Sequence, residues 1–157
     1  MSSAQLIESL QIKLGQELHV GSWLVIDQRR IDQFAEVSGD KQWIHTDPVR
    51  AARESPYGTT VAHGFLTLSL LPFLTQSNSP DYFQANYPGM SYRVNYGLNK
   101  VRFPAPVKAG AKVRARTTLQ SAEPIGTAIE LVYQLTVEIA GEPKPACVAE
   151  QVFRVFP

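Results

Sequence analysis

The feature that most constrains the fold is a short, almost entirely apolar run over residues 64–74, GFLTLSLLPFL. In a helix its leucines and phenylalanines lie around the whole circumference, a pattern typical of a helix that is buried on all sides. The run is too short to cross a bilayer, which takes about 20 apolar residues. Pro72 lacks an N–H group and bends or shortens a helix. The sequence therefore predicts a buried central helix over residues 63–71, followed by a bent extension.

The second half of the chain predicts strands, because apolar and polar residues alternate there. Turn signals separate the runs, and Gly97 marks a bulge in the longest one. Sequential strands with short connections predict an antiparallel meander. With the central helix, they predict a single α+β domain over residues 1–157, in which a long antiparallel sheet wraps around the helix. Strands are expected at residues 18–26, 90–103, 112–121, 128–139 and 146–156, a short helix at 1–10 and an irregular link at 78–88.

Composition narrows the class of protein. A chain of 157 residues with 44% hydrophobic and 18% charged residues is expected to form one globular domain. A net charge of +1 without a basic stripe gives no indication of nucleic-acid binding. The single cysteine, Cys147, excludes an internal disulfide and suits a reducing compartment. Since no signal peptide or membrane-spanning segment is recognisable, a cytoplasmic protein is expected.

An aspartate and a histidine stand close together upstream of the apolar run. Residues 28–37 have helical spacing and Ser38-Gly39 is a natural helix end, so Asp40 is predicted to begin a loop. His45 follows just before Thr46-Asp47-Pro48, which predicts the start of a second short helix. A carboxylate and an imidazole held between two helix ends can converge on one water and polarise it for attack. A helix cap and a surface imidazole are the alternative interpretation.

Gly64 is predicted to lie at the start of the central helix. Gly64 follows His63, and the first N–H groups of a helix have no partner within it. Glycine also leaves room for a ligand to approach the backbone. Gly64 is therefore a candidate for binding an oxygen atom of a substrate, although close packing of two backbones would explain the same residue.

Two segments resemble a known enzyme family. VSGDKQWIHTDP contains Asp40 and His45, and TVAHGFLTLSLLP contains His63 and Gly64. Together they resemble the hydratase signature of the MaoC-like family, the (R)-specific enoyl-CoA hydratases. The commonest signature has Asn-Pro where this chain has Gln42-Trp43, and the QWIH form is more similar to the branch related to the nodulation protein NodN. The bulk of the tryptophan is expected to change the substrate entrance.

The resemblance implies a hot-dog fold and the reversible addition of water to a trans-2-enoyl thioester, which gives an (R)-3-hydroxyacyl thioester. It implies that Asp40 and His45 are catalytic and that the Gly64 N–H binds the thioester oxygen. The acyl group would be carried by CoA or by an acyl carrier protein, and neither a cofactor nor a metal would be needed. It also implies a homodimer, and the edge strands of a sheet wrapped on one helix need such a cover.

Two other functions stay open. Some hot-dog proteins are acyl-thioester hydrolases that use a carboxylate and a water, and others are non-catalytic acyl-binding or assembly subunits. The joint presence of Asp40 and His45 favours hydration over hydrolysis.

The remaining ionisable residues give weaker indications. Metal binding is not predicted, because the spacings of His19, His45 and His63 match no common set of ligands. By charge alone, the candidates for binding the phosphates of CoA are Arg93, Lys100 and Arg102.

Overall fold

An antiparallel sheet built mainly from the second half of the chain forms the frame of the molecule, and the helices pack around it. The computed structural model describes residues 2–157. In chain order the elements are α1 (Ser3–Gln11), β1 (Glu17–Val20), β2 (Leu24–Val25), α2 (Gln28–Ser38), α3 (Trp43–Thr46), α4 (Pro48–Glu54), α5 (Gly64–Ser69), α6 (Leu71–Leu74), α7 (Pro80–Asn86), β3 (Tyr92–Arg102), β4 (Lys112–Ile125), β5 (Ala128–Ile139) and β6 (Cys147–Phe156).

The sheet has the strand order β1-β4-β5-β6-β3, and β2 extends it beside β4. All neighbouring strands are antiparallel. Alternate residues of β4 and β5 are buried, so the sheet turns one face toward the helices. This arrangement confirms the predicted α+β class, a sheet packed around a central helix.

The predicted meander is correct only for β4, β5 and β6. β3 lies at the edge of the sheet, where it pairs with β6 instead of β4. The connection from β3 to β4 contains Pro104 and Pro106, which cannot donate to a strand ladder. It runs beside the segment that precedes α5, where the Ala62 N–H donates to the Val107 carbonyl at 2.7 Å. The predicted bulge at Gly97 is confirmed by a shift of register at that residue.

The central helix consists of two short helices, α5 and α6, that meet at Leu70. Pro72 lies in the first turn of α6, where a missing N–H costs no helical hydrogen bond, and this explains the break ahead of it. The helix is not buried on all sides in the single chain. Leu71 is buried in the core, whereas Phe65 and Phe73 are 69% and 63% exposed. The prediction of complete burial is wrong because, within residues 2–157, the chain covers only one side of the helix.

Two other segments differ from the prediction. Most of residues 78–88 form α7 rather than an irregular link, since Ser79 accepts from the Tyr82 N–H at 3.1 Å and Pro80 occupies the first turn. The extended segment expected at 18–26 is divided into β1 and β2 at Gly21. The N-terminal helix is observed as α1, and Met1 lies outside the described residues. Within residues 2–157, every helix lacks the length and apolar character needed to cross a membrane.

Candidate active site

Three segments meet at the start of the central helix. α2 ends at Ser38, its C-cap Gly39 has a left-handed backbone with φ of 78°, and Asp40 follows directly. α3 carries His45, and α5 begins just after His63. One potential ligand atom from each of these three side chains lies within 4.8 Å of the other two. The expected approach of Asp40 and His45 is therefore present, and His63 joins them.

His45 has a defined orientation and protonation pattern. It lies in the helical turn α3 rather than in irregular backbone, and 7% of its surface is exposed. Its Nδ1 is 2.6 Å from the Val61 carbonyl oxygen, which can only accept, so Nδ1 carries the proton. Burial lowers the pKa of His45 below its ordinary value. The neutral ring therefore offers the lone pair of Nε2 as a proton acceptor at neutral pH.

The main chain of His45 is held by a residue that the sequence did not single out. Gln28, the first residue of α2, donates from Nε2 to the His45 carbonyl oxygen at 2.7 Å. Its own Oε1 accepts from the hydroxyl of Thr60, which belongs to the loop before α5. Gln28 thus ties three segments of the site together. An amide at the start of an amphipathic helix carries no signal in the sequence for such a role.

The carboxylate of Asp40 is held in its ionised form. Its Oδ1 accepts from Nε2 of Gln42 at 3.0 Å. This hydrogen bond lowers the pKa of Asp40 from its ordinary value. Gln42 is one of the two residues that depart from the commonest signature, so the substitution places a hydrogen-bond donor on the predicted catalytic carboxylate.

His63 connects the other two groups. Its Nε2 donates to the backbone carbonyl of Asp40 at 2.8 Å, and its ring stacks on that of His45 with centroids 3.7 Å apart and planes 26° apart. The spacing of the three groups would also suit a divalent cation. Stacked imidazoles, however, do not point their in-plane lone pairs at a common centre. The expectation that no metal binds therefore stays a prediction.

A cleft of about 340 Å³ opens beside His45 and Gly64. Phe103 covers Gly64 so closely that a Cβ atom added to the glycine would lie 3.0 Å from the ring. A larger cleft of about 490 Å³ lies at the other end of the central helix, but none of its lining residues is ionisable. The smaller cleft is the candidate site because His45 and Gly64 line it, whereas Asp40 and His63 do not, and its apolar walls suit an aliphatic ligand. These walls include Ile44, Val61, Ala62, Val107 and Ala146.

Comparison with known proteins identifies the family. Residues 9–139 match the family model described as MaoC like domain. The chain belongs to the MaoC-like dehydratase family. It is 43% identical over 155 residues, covering 98% of both chains, to 3-hydroxyacyl-thioester dehydratase Z of Mycobacterium tuberculosis. It is also 43% identical over 141 residues to nodulation protein N of Rhizobium leguminosarum bv. viciae, covering 89% of this chain and 84% of that protein.

The MaoC-like fold also agrees with a solved structure. The (R)-hydratase of A. caviae, described as involved in PHA biosynthesis, superposes with a TM-score of 0.63 at 23% identity, covering 90% of this chain and 99% of that one. This likeness confirms the hot-dog fold that the resemblance implied. Membership of the family makes this MaoC-like chain a hydro-lyase, an enzyme that adds water to a substrate or removes it.

The tryptophan that distinguishes this MaoC-like chain from the commonest signature does not line the cleft. The ring of Trp43 instead lies under the guanidinium group of Arg50, 4.4 Å from ring centroid to Cζ. Trp43 therefore does not change the substrate entrance by lining the cleft, as its bulk led us to expect.

The cations proposed for CoA phosphates are not equally available. Arg93 donates to the Ser77 carbonyl and to Oδ1 of Asn78, both at 2.8 Å, so its guanidinium is already engaged. Lys100 pairs with Glu150 at 3.0 Å. Arg102 donates to the Val101 carbonyl at 2.7 Å, and none of the three cations lines the cleft.

Proposed function

We propose that this MaoC-like protein is an (R)-specific enoyl-CoA hydratase, which reversibly adds water to a trans-2-enoyl thioester and gives the (R)-3-hydroxyacyl thioester. The observation that carries the proposal is the approach of the Asp40 carboxylate to His45, because His45 lines an apolar cleft together with Gly64, although Asp40 itself does not line it. The dehydratase name of the mycobacterial relative and the (R)-hydratase name of the structural neighbour support it. Either CoA or an acyl carrier protein is compatible as the carrier.

In the proposed reaction one water binds between Asp40 and Nε2 of His45. Since both groups accept protons at neutral pH, the pair takes a proton from the water while the water oxygen forms its bond to C3. The electrons of the C2–C3 double bond move toward the thioester and create an enolate. The pair then returns the same proton to C2, so that one water is consumed. Asp40 and His45 share this proton as a coupled pair.

The developing charge falls on the thioester oxygen. We assign its hydrogen-bond donor to the N–H of Gly64, which is the first residue of α5 and has no acceptor within the helix. Losing one donor of this kind costs on the order of 3 kcal/mol in other enzymes. The thioester itself accepts the electrons, so the proposed reaction uses neither a cofactor nor a metal.

The test is a spectrophotometric assay with crotonyl-CoA and a longer trans-2-enoyl-CoA. Loss of the absorbance of the conjugated thioester, with a product oxidised by an (R)-specific but not an (S)-specific 3-hydroxyacyl dehydrogenase, would establish the function. Release of free thiol from acyl-CoA would instead indicate a thioesterase. Binding of both substrates without turnover would indicate a non-catalytic acyl-binding subunit. Either of these outcomes would overturn the proposal.

Gly64→Ala is expected to lower kcat/KM about tenfold, because small displacements of a reacting group are costly. The new Cβ would lie 3.0 to 3.1 Å from three ring carbons of Phe103, so the ring or the start of α5 would have to shift by about a few tenths of an ångström beside the proposed thioester donor. Steady-state kinetics with crotonyl-CoA measure the change. The control is the same substitution in a Phe103→Ala background, where the clash is absent and the loss should be smaller. Equal losses in both backgrounds would contradict this explanation.

We further propose that the enzyme is a homodimer joined through β3. This strand lies at the edge of the sheet, and four of its large apolar side chains are at least two-fifths exposed. An exposed edge of this kind is prone to pairing with another chain unless it is covered. These side chains are Tyr92, Val94, Tyr96 and Leu98.

Val94→Glu is expected to raise the dissociation constant of the homodimer at least about tenfold, since two symmetry-related charges would be buried near each other. Light scattering after size exclusion, over a range of protein concentrations, measures this change. Val37→Glu is the matched control, because Val37 lies on α2 and is also exposed. A wild-type protein that is monomeric and fully active would contradict the dimer, and dissociation caused equally by both variants would contradict its placement on β3.

A further inference from the structure

One buried side chain of the site has no part in the proposed chemistry. His63 is 3% exposed and stands at the N-cap position of α5, directly before Gly64. Its ring stacks on His45 on one side and packs against Phe34 of α2 at a centroid distance of 5.0 Å. The ring is thus fixed between α2, α3 and the start of the central helix.

The hydrogen bond of His63 reaches the loop that carries the catalytic carboxylate. Its Nε2 lies 2.8 Å from the backbone carbonyl oxygen of Asp40, which can only accept, so Nε2 carries the proton. The backbone N–H of Asp40 donates only to Oγ of Ser38, at a long 3.3 Å. Asp40 also follows a left-handed glycine, Gly39, where α2 has ended. The hydrogen bond from His63 is therefore shorter than the one that the Asp40 N–H donates to Ser38, and it joins the Asp40 main chain to the start of the central helix.

The second ring nitrogen of His63 argues for a role beyond packing. Nδ1 is buried and has no hydrogen-bond partner among the described residues. A buried polar atom without a partner destabilises the folded state, because it has lost its hydrogen bonds to water and gained none in return. An apolar side chain of similar shape would avoid the unpaired Nδ1 atom. Unpaired buried polar groups are rare in folded proteins, so this one calls for an explanation. A functional requirement for the Nε2–H group of His63 would explain why a histidine occupies this buried position.

We propose that His63 is a positioning residue: through its hydrogen bond to the Asp40 carbonyl and its stack on His45, it sets the distance between the two catalytic groups and their placement relative to Gly64. One side chain would then fix the position of the water-activating pair relative to the N–H group that is proposed to bind the thioester oxygen. The inference rests on the proposed hydratase function, because it concerns the same pair.

Two substitutions separate the hydrogen bond from the ring. His63→Phe keeps an aromatic plane against His45 but removes the donor. His63→Gln removes the ring but places an amide nitrogen close to the position of Nε2. We expect His63→Phe to lower kcat about tenfold to a hundredfold with KM within about threefold of wild type, since a misplacement of about 1 Å can cost a hundredfold in rate. His63→Gln should recover part of the lost kcat, because it restores the donor to the Asp40 carbonyl but not the stack on His45.

A measurement without substrate tests the same contact. Amide hydrogen exchange of the segment that includes Asp40 should be faster in His63→Phe than in wild type and should return toward the wild-type rate in His63→Gln. This readout separates the two proposals. If the wild type does not hydrate enoyl thioesters but the exchange pattern is observed, the function is wrong and the contact is supported. If the wild type is active and His63→Phe keeps full kcat, the positioning role is wrong by itself.

The remaining outcomes are also decisive. Equal loss of kcat in His63→Phe and His63→Gln, with both proteins folded, would overturn the role of the hydrogen bond. If His63→Phe does not fold, His63→Asn replaces it, because the shorter amide cannot reach the Asp40 carbonyl. A kcat for His63→Asn that is well below that of His63→Gln would support the inference, and equal values would overturn it.

Discussion

Replacing His45 by Gln or Asp40 by Asn is expected to lower kcat for hydration about a thousandfold, with a much smaller change in KM. His45→Gln removes the free lone pair of Nε2, and Asp40→Asn removes a negative charge and puts an NH₂ donor in place of an acceptor oxygen. Each change prevents the pair from taking a proton from water, and a positioned acid or base typically contributes a factor of about 100 to 10,000. A thousandfold loss corresponds to about 4 kcal/mol in the barrier.

Matched substitutions outside the cleft provide the control. His19→Gln changes a histidine on β1, and Asp81→Asn changes an exposed aspartate in the first turn of α7. Both should keep kcat within about threefold of wild type, because neither residue belongs to the group formed by Asp40, His45 and His63, and effects at distant sites are usually independent. The melting temperature of Asp40→Asn should stay close to that of wild type, whereas His45→Gln should melt somewhat lower because it loses the buried hydrogen bond to the Val61 carbonyl, and circular dichroism checks that it is folded at the assay temperature. A double variant of Asp40 and His45 with full activity would show that the assignment is wrong.

The parts of the site that lie close together in the sequence could be predicted, because local signals determine them. The helix end at Ser38-Gly39 places Asp40 in a loop, and a His-Gly pair before an apolar run indicates the start of a helix. The structure agrees with both. Periodicity also located the long strands and the bulge at Gly97. These features depend on backbone conformation within a few residues, which is what sequence patterns record.

The features that depend on long-range contacts could not be predicted. No sequence pattern indicates that β3 pairs with β6, because strand spacing alone favours its neighbour β4. The helix that looked apolar on all sides leaves Phe65 and Phe73 exposed, since periodicity cannot distinguish a core from a surface that another chain could cover. The hydrogen bond from Gln28 to the His45 carbonyl joins residues that are 17 positions apart. Such contacts become visible only when the segments are folded together.

Gly21→Ala is expected to destabilise the protein by about 3 kcal/mol, the upper end of the usual cost of overpacking. Gly21 separates β1 from β2, is buried, and donates its N–H to the Ala115 carbonyl at 2.8 Å. A Cβ atom there would overlap the carbonyl oxygen of Leu74, the last residue of α6. The overlap is with backbone, so the strand and the helix end would have to move apart. For a chain of this length, 3 kcal/mol lowers the melting temperature by about 10 °C.

The matched control is Gly97→Ala, because a Cβ atom at Gly97 meets no heavy atom within 4 Å and its backbone is not left-handed. This variant should change the stability by no more than about 1 kcal/mol. Thermal unfolding followed by circular dichroism compares the two proteins. Equal melting temperatures for the two alanine variants would show that the space between Gly21 and the Leu74 carbonyl does not limit how closely the sheet packs on the helix. A selective loss in Gly21→Ala would show that contact with the sheet fixes the far end of the central helix, whose first residue is the proposed donor to the thioester.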